Sequence, residues 1–158
     1  MKLSLMIARG CALTSDLRIV QLTVDIDRHA DLKQAIEASL DHPLPELIQL
    51  FSNDNGYLAI RKSRRDWLLI GSLADVSARF VALNKLLSGA AAIASDVSDS
   101  FETFENVDPD SLVSWSGVEL QNGQAKLLRI RQTSVVAFCI GERSTVLVPR
   151  SYQTIPEF

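Results

Sequence analysis

Three β-prone segments follow one another near the C-terminal end of the chain, at positions 127–131, 134–140 and 145–148. The first alternates apolar and basic residues, which predicts a strand with one face buried and one face in water. The second is continuously apolar and predicts a strand that is covered on both faces. Gly141 opens the two-residue link to the third, where a tight hairpin needs a positive φ. Pro149 ends the third because it has no amide hydrogen for a ladder. We therefore predict an antiparallel meander at the centre of the fold.

Earlier in the chain, the pattern changes from period two to a helical period. Residues 17–26 alternate, with Val20, Leu22 and Val24 on one face, which predicts a strand. Apolar residues then recur at four-residue spacing from Leu32 to Leu40, which predicts an amphipathic helix. Because a proline pushes the residue before it out of helical geometry, this helix should end before Pro43.

A hairpin followed by a helix is predicted next. Two short apolar runs, 57–60 and 67–70, flank the basic segment 61–66, as in a hairpin with a positively charged tip. Ser72 with Asp75 three residues later is a capping pattern. The helix that it opens should end at Gly89.

The remaining segment, 90–117, predicts one extended stretch and a short helix. Residues 90–106 are expected to run as a single extended segment. Asp108 then caps a helix whose first residue is Pro109, and Gly117 ends it.

Strands and helices in this order indicate an α+β protein with two interlocked sheet-and-helix halves and mainly antiparallel strands. We expect residues 1–158 to form a single compact unit, with a possible subdivision into 17–89 and 90–158. The residues expected to share one core are Trp67, Phe80, Phe101, Phe138 and Val148.

The composition is that of a soluble globular protein, with 47% hydrophobic and 22% charged residues among 158. A net charge of −3 disfavours general affinity for nucleic acids or anionic membranes. No apolar run reaches the length of a membrane span, and no secretory cleavage site follows the N-terminal segment. Cys11 and Cys139 show no metal or redox spacing; one disulfide between them is the alternative, but we expect buried, reduced thiols and a cytoplasmic location.

The sequence offers no evident catalytic, cofactor-binding or metal-binding residues. His29 and His42 are the two histidines, and neither stands at ligand spacing from a cysteine or another histidine. No Gly-x-Ser-x-Gly or Gly-x-Gly motif is present, which removes the nucleophile elbow and the dinucleotide fingerprint. The acidic segment from Asp96 to Glu105 is most simply interpreted as a solvated strand edge.

Four basic residues in the predicted hairpin are candidates for a binding surface: Arg61, Lys62, Arg64 and Arg65. Beside Trp67 they are compatible with nucleic-acid binding, with a merely solvated tip, or with protein docking. We favour a partner for Arg64 and Arg65. For Arg150 we favour an internal clamp that anchors the C-terminal tail to Asp96 or Asp99.

The order of several short motifs resembles the gamma subunit of heterotetrameric sarcosine oxidase. They are the helix and proline connector from Leu32 to Pro45, Arg65-Asp66-Trp67-Leu68-Leu69-Ile70, Ser95-Asp96-Val97-Ser98-Asp99-Ser100, and Leu147-Val148-Pro149-Arg150-Ser151-Tyr152. The last three are similar to the Asp-Glu-Trp-Leu-Leu, Asp-Val-Ser-Asp and Val-x-Arg-Ser-Phe/Tyr segments of that family. They occur in the family's order from about Leu17 onward.

The resemblance implies a non-catalytic subunit that stabilises the heterotetramer together with alpha, beta and delta subunits. Such an enzyme demethylates sarcosine oxidatively, with tetrahydrofolate as one-carbon acceptor. FAD, FMN and NAD would belong to the complex and none of them to this chain. The implied fold is similar to the folate-binding domains of glycine-cleavage aminomethyltransferases. The alternative is a free-standing folate or small-molecule binding module.

Overall fold

The computed structural model of the chain describes residues 12–13, 17–46, 50–52 and 58–150. The chain divides into two compact units. One unit is Asp16–Ser98, and the other combines the N-terminal end of the chain with the residues from Asp99 onward. Each unit contains one antiparallel sheet and at least one helix, so the α+β class predicted from the sequence is confirmed.

The unit Asp16–Ser98 is built around a five-stranded sheet in the order β3-β4-β5-β2-β6. Its elements are β2 (Leu17–Val24), α1 (Ala30–Leu40), β3 (Leu50–Ser52), β4 (Leu58–Arg61), β5 (Asp66–Ser72), α2 (Leu73–Leu87) and β6 (Ala92–Asp96). Apart from the short edge strand β3, these elements form two β-α-β units, β2-α1-β4 and β5-α2-β6. In the sheet, one strand of each unit lies between the two strands of the other, which is the split β-α-β arrangement.

One face of this sheet and the inner faces of both helices form a single apolar cluster. Val20, Leu22 and Val24 lie on that face because they alternate along β2. Ile36 and Leu40 of α1 pack against them at the predicted four-residue spacing. Helix α1 ends at Leu40, and Asp41 adopts the left-handed conformation that terminates helices, two residues before Pro43. The periodicity therefore predicted which faces of these elements pack together.

The boundary and the helix cap predicted for this unit have different outcomes. The suggested boundary at 89/90 is wrong, because β6 pairs with β2 from Val24↔Ala92 to Val20↔Asp96 and so belongs to the first sheet. The division instead falls between Ser98 and Asp99. The capping role of Ser72 and Asp75 remains a prediction, since the side chain of Asp75 lies outside the described part of the chain.

The second unit contains a five-stranded antiparallel sheet in the order β1-β7-β10-β9-β8. Its elements are β1 (Ala12–Leu13), β7 (Phe101–Val107), α3 (Pro109–Ser116), β8 (Ala125–Ile130), β9 (Thr133–Ile140) and β10 (Arg143–Pro149). Strands β8, β9 and β10 are the predicted meander, and β10 ends at Pro149 as expected. Residues 151–158, at the end of the expected C-terminal motif, lie outside the described residues.

The turns of the meander follow different rules. Gly141 has a φ of 65° and opens the two-residue link between β9 and β10, as the sequence predicted. Arg131 and Gln132 link β8 to β9 with φ of 47° and 69°, a conformation that non-glycine residues rarely adopt. The sequence contains no typical turn residue at this β8–β9 link, and the pairing of the two strands imposes its geometry.

Helix α3 forms where the sequence places it. The Asp108 carboxylate accepts a hydrogen bond from the Ser111 amide at 2.9 Å, and Pro109 occupies the first turn. Gly117 ends the helix with a φ of 70°. Leu112 is the residue of α3 that enters the apolar cluster on the helix side of this sheet, together with Phe104 and Val146.

The expectation of one shared core is wrong. Trp67 and Phe80 belong to the cluster of the first unit, whereas Val148 belongs to the cluster of the second. Phe101 and Phe138 are buried, but they belong to neither of the two clusters. Strand side chains alternate between the two faces of a sheet, so the buried residues Ile19 and Leu68 of the first unit lie on the face opposite the helices.

The interpretation of 90–106 as one extended segment is also incorrect. It contains β6, a short 3₁₀ turn at Ser98–Ser100 and then β7, and the two strands belong to different sheets. Ser98 marks the end of the first sheet, since its hydroxyl accepts the Ile19 amide at 2.8 Å. At the point where the chain leaves the sheet, a side-chain hydrogen bond thus replaces a backbone hydrogen bond of the ladder.

Within the described residues, no helix is long and apolar enough to cross a membrane.

Candidate partner-binding surface

The connection between β4 and β5 carries the basic residues singled out from the sequence. We call residues 61–66 the basic tip. The amides of Lys62 and Ser63 both donate to the carbonyl of Asp66, at 2.8 and 3.2 Å, and close the loop. Arg61 and Lys62 are half-buried, whereas Arg64 and Arg65 are exposed. The four residues are therefore brought together, but they occupy two different environments.

Asp66 anchors the basic tip to the neighbouring strand. Its carboxylate accepts hydrogen bonds from the hydroxyls of Ser63 and Thr23, each at 2.6 Å, and from the side-chain amide of Gln21 at 3.4 Å. Thr23 faces Asp66 directly in the register of β2 with β5. Partial burial acts to raise the pKa of Asp66, but these hydrogen bonds and the charge of Lys62 hold it below its ordinary value.

We expect Asp66→Asn to destabilise the chain by about 1–3 kcal/mol at neutral pH, because the amide keeps only one acceptor oxygen for the Ser63 and Thr23 hydroxyls and carries no charge. Because the folded-state pKa is depressed, this contribution is present above the unfolded-state pKa of about 3.9. It is lost as the pH falls through the lower folded-state value. Thermal melts between neutral and acidic pH should show the wild type and variant converging on acidification.

The matched control is Glu142→Gln, a carboxyl-to-amide change on the exposed turn between β9 and β10. It should leave the melting temperature at neutral pH nearly unchanged. A constant difference between wild type and Asp66→Asn at every pH would contradict the assignment.

Arg61 is used inside its own chain. Its guanidinium donates to the carbonyls of Glu46, Ser63 and Arg64, and its central carbon lies 5.1 Å from the centroid of the Trp67 ring. A guanidinium over an indole face is stabilised by the ring quadrupole. The indole N–H in turn donates to the carbonyl of Pro45 at 3.0 Å. Arg61 thus fastens the basic tip to the proline connector that follows α1.

Arg64 and Arg65 form ion pairs with the segment that follows β2. Arg64 donates through Nε and Nη2 to one oxygen of Asp27, at 2.8 and 2.6 Å. Arg65 pairs with Asp25 at 2.9 Å. The hydrogen bond and charge of Arg64 lower the pKa of Asp27 and raise that of Arg64. Both arginines remain accessible to another protein, because each side chain is more than half exposed.

An open cleft of about 580 Å³ lies near the start of α1. The residues that line it are Arg28, His29, Ala30, Asp31, Leu32, Ala90 and Ala91. His29 precedes the helix but its side chain makes no capping hydrogen bond. Arg28 and Asp31 both line the cleft, so it presents mixed charge rather than a basic surface, and Arg28 also pairs with Asp25 at 3.7 Å.

Asp96 and Arg150, which the sequence analysis also singled out, make contacts within the chain. Asp96 pairs with Arg18 at 3.6 Å and accepts the Ser98 hydroxyl at 2.6 Å. Partial burial acts to raise the pKa of Asp96, but the Ser98 hydrogen bonds and Arg18 hold it below its ordinary value. Arg150 donates to the carbonyl of Phe101 at 3.3 Å. The internal role expected of Arg150 is thus present, but its partner is a carbonyl group rather than the expected carboxylate.

Groups that can hold a metal do not cluster in the described part of the chain. His42 is buried, with Nδ1 at 2.8 Å from the carbonyl oxygen of Pro43. Cys139 is a buried free thiol in β9. These groups are explained by packing and local hydrogen bonds.

The chain is an α+β protein with two antiparallel sheets, and solved structures of two other proteins share this fold. A chain of the heterotetrameric sarcosine oxidase from Corynebacterium sp. U-96, solved with pyrrole 2-carboxylate, matches with a TM-score of 0.76 and 14% identity. The match covers 90% of this chain and 76% of that one. At this identity the likeness shows a shared fold.

The glycine cleavage system aminomethyltransferase T from Bartonella henselae also has this fold. It matches with a TM-score of 0.59 and 12% identity over 88% of this chain. The match spans only 41% of the aminomethyltransferase chain. No protein-family model and no curated protein matches the sequence.

Sequence reasoning found the basic residues but missed the groups that hold them. Asp25 and Asp27 follow β2 directly, and they meet Arg65 and Arg64 because β2 lies beside β5 in antiparallel register. The charge pattern contains a usable signal, since an acidic segment after one strand and a basic segment before another favour pairing of their ends. That signal becomes specific only when the strand order is known.

Proposed function

We propose that this chain is a non-catalytic, gamma-type subunit that stabilises a heterotetrameric sarcosine oxidase. The observation that carries the proposal is the fold shared with a chain of such an enzyme, over 90% of this chain and 76% of that one. The ordered sequence motifs support the same assignment independently. In this proposal the complex demethylates sarcosine oxidatively in the cytoplasm and passes the one-carbon unit to tetrahydrofolate.

The division of labour follows from the residues that the chain offers. Its sequence contains no nucleophile elbow and no dinucleotide or phosphate-binding motif. FAD, FMN and NAD would therefore be held by the other subunits, and this chain would bind none of them. Its partners would be the alpha, beta and delta subunits.

Within this proposal the basic tip contacts a partner subunit. An exposed ion pair contributes about 0–1 kcal/mol, so Arg64 can exchange Asp27 for a carboxylate of a partner at little cost. Asp25 is more buried, but it keeps Arg28 as a second partner if Arg65 turns to another protein. The planar guanidinium favours two-pronged binding of such groups. Lys62 adds charge at the same place, whereas the donors of Arg61 are already used within the chain.

The direct test is purification of the tagged chain from its source under native conditions, followed by identification of the associated chains. Recovery of the other sarcosine oxidase subunits in equal amounts is the expected result. Arg64→Ala with Arg65→Ala should lower that recovery at low salt. Added salt should weaken wild-type assembly more than assembly of the double variant, because rim charges act through screened attraction.

The matched control is Arg129→Ala, an exposed arginine on β8 that should leave assembly unchanged. The melting temperature of the isolated chain should be nearly the same in all three proteins. A solitary chain in the native preparation would count against the subunit assignment. A double variant that assembles normally would remove the basic tip from the interface.

The fold shared with aminomethyltransferase T favours one alternative, a free-standing folate or small-molecule binding module. Calorimetric titration of the isolated chain with tetrahydrofolate separates the two. Micromolar binding by the lone chain would overturn the assembly-only role, and absence of binding would overturn the alternative.

A further inference from the structure

Among the strands that the structure describes, β6 pairs with β2 alone and so forms an edge of the first sheet. Ile93, at the centre of this edge, is 66% exposed. Val81 on the adjacent helix α2 is 69% exposed, and these two are the most exposed large hydrophobic residues in the described part of the chain. Exposed apolar residues beside an unpaired strand edge are characteristic of a surface where another chain binds.

The hydrogen-bonding direction of β6 follows from two contacts. The Val24 amide donates to the carbonyl of Arg65, just before β5. Backbone groups alternate in direction along a strand, so the even-numbered residues of β2 form hydrogen bonds with β5 and the odd-numbered ones with β6. The Val97 amide donates to Ile19 in agreement. In the register of β2 with β6, residues 93, 95 and 97 of the second strand therefore bond inward. The amides and carbonyls of Ala92 and Ala94 point out of the sheet.

This edge lacks the devices that normally block pairing with another chain. Residues 90–95 contain neither a charged residue nor a proline, and Asp96 at the end is already paired with Arg18. At the edge of the other sheet, β8 carries Lys126 and Arg129. Charged side chains of that kind oppose edge-to-edge association. Strand β6 is thus open where β8 is protected.

Helix α2 extends the same surface on one side of the sheet. It packs on β5, β2 and β6, and its Arg79 donates to the Leu40 carbonyl of α1. Val81 is two residues further on, about 200° around the helix, and so lies on the flank turned away from α1. The exposed residues Ser77, Asn84 and Ser88 share that flank. Their small side chains leave room for a second helix.

We propose that this edge binds a second copy of the same chain, so that two sheets join across a twofold axis at Ala94. Antiparallel pairing about Ala94 lets the outward amides and carbonyls of the two strands bond to each other. Ile93 then lies against Ser95 of the copy, on the face opposite the helices. Val81 meets its counterpart between the two α2 helices.

Charge supports this register. The copy's Asp96 lies opposite Ala92, so the two Asp96 residues are kept at opposite ends of the interface. The Asp96 of each copy then lies beside the cleft of the other copy, which Ala90, Ala91, Arg28 and His29 help to line. Asp31 is the acidic residue of that cleft, and the copy's Arg18 accompanies its Asp96 towards it. A single short strand and one helix flank form a small interface, so we expect a weak, concentration-dependent dimer.

The test is sedimentation of the full chain from micromolar to millimolar concentration. Wild type should shift reversibly from monomer to dimer. Ile93→Lys and Val81→Lys each place a charge on the interface and should weaken association about tenfold or more. Ala94→Pro removes an outward amide without removing a bond to β2, so it should also yield a monomer that remains folded.

Two controls make the result specific. Leu127→Lys, on the protected edge β8, should leave dimerisation unchanged. Ser95→Pro removes an inward amide and should lower the melting temperature, unlike Ala94→Pro. A wild type that stays monomeric throughout the range overturns the proposal, as does a dimer that Ile93→Lys and Val81→Lys leave intact. A monomeric wild type whose binding to other proteins needs Ile93 would assign the edge to a different partner. The outcome does not depend on the proposed function, because it is measured on the isolated chain.

Discussion

Replacing Trp67 with alanine should destabilise the chain by about 3–5 kcal/mol. The indole is completely buried in the cluster of the first unit, where its removal loses both burial and packing. Its N–H donates to the Pro45 carbonyl at 3.0 Å, and Arg61 lies over its ring. The substitution therefore also leaves a buried carbonyl without its donor and releases the base of the basic tip.

Denaturant unfolding followed by circular dichroism measures this loss. Trp67→Phe keeps an aromatic ring but removes the N–H, so it should cost less than the alanine variant. Val81→Ala changes an exposed residue of the same unit and should stay within about 0.5 kcal/mol of wild type. An unfolding midpoint that Trp67→Ala does not move would contradict the central position assigned to the indole.

Strong periodicity and explicit caps are the features that made parts of the fold predictable. In β2 the alternation of Val20, Leu22 and Val24 specifies the face that packs against the helices. Helix α3 is bounded by Asp108, Pro109 and Gly117, and each has a separate physical reason to stand at a helix end. Where the hydrophobic pattern and the capping residues agree, the local sequence determines the local structure.

The segment around Ser98 shows where that agreement ends. Small and polar residues from Ala90 to Ser100 are compatible with a continuous extended chain, and neither proline nor glycine interrupts them after Ala90. The break is made by a long-range contact, in which the Ser98 hydroxyl replaces a backbone acceptor for Ile19. The Asp96 carboxylate also accepts hydrogen bonds from the Ser98 amide and hydroxyl, at 2.9 and 2.6 Å, and this local Asp-x-Ser turn is a signal that the sequence analysis did not use.

The candidate surface was predictable in composition but not in pairing. A cluster of basic residues between two β-prone runs indicates an exposed turn, and the basic tip is such a turn. The division of roles within it depends on strand order, which places Asp25 and Asp27 beside Arg65 and Arg64. The edge position of β6 was not predictable for the same reason, because only the strand order shows that β6 lies at the end of its sheet.

In the second unit, Phe104→Ala should cost about 3–5 kcal/mol. Phe104 is fully buried at the centre of β7 and faces Val146 of β10 in the sheet register. It packs in the same apolar cluster as Leu112, so the ring also holds α3 against the sheet. Alanine leaves a cavity beneath that helix, and the surrounding strands can close it only in part because their backbone ladders fix their spacing.

Phe104→Leu separates loss of volume from loss of hydrophobic character. It should cost less than half as much as alanine, because a branched aliphatic side chain fills much of the same space. Ile140→Ala, at an exposed strand end, is the matched control and should change stability little. Hydrogen exchange of α3 amides provides the local readout, since a cavity beneath the helix should speed their exchange more than that of β9. Equal acceleration in both elements, or none in either, would show that Phe104 does not support the helix.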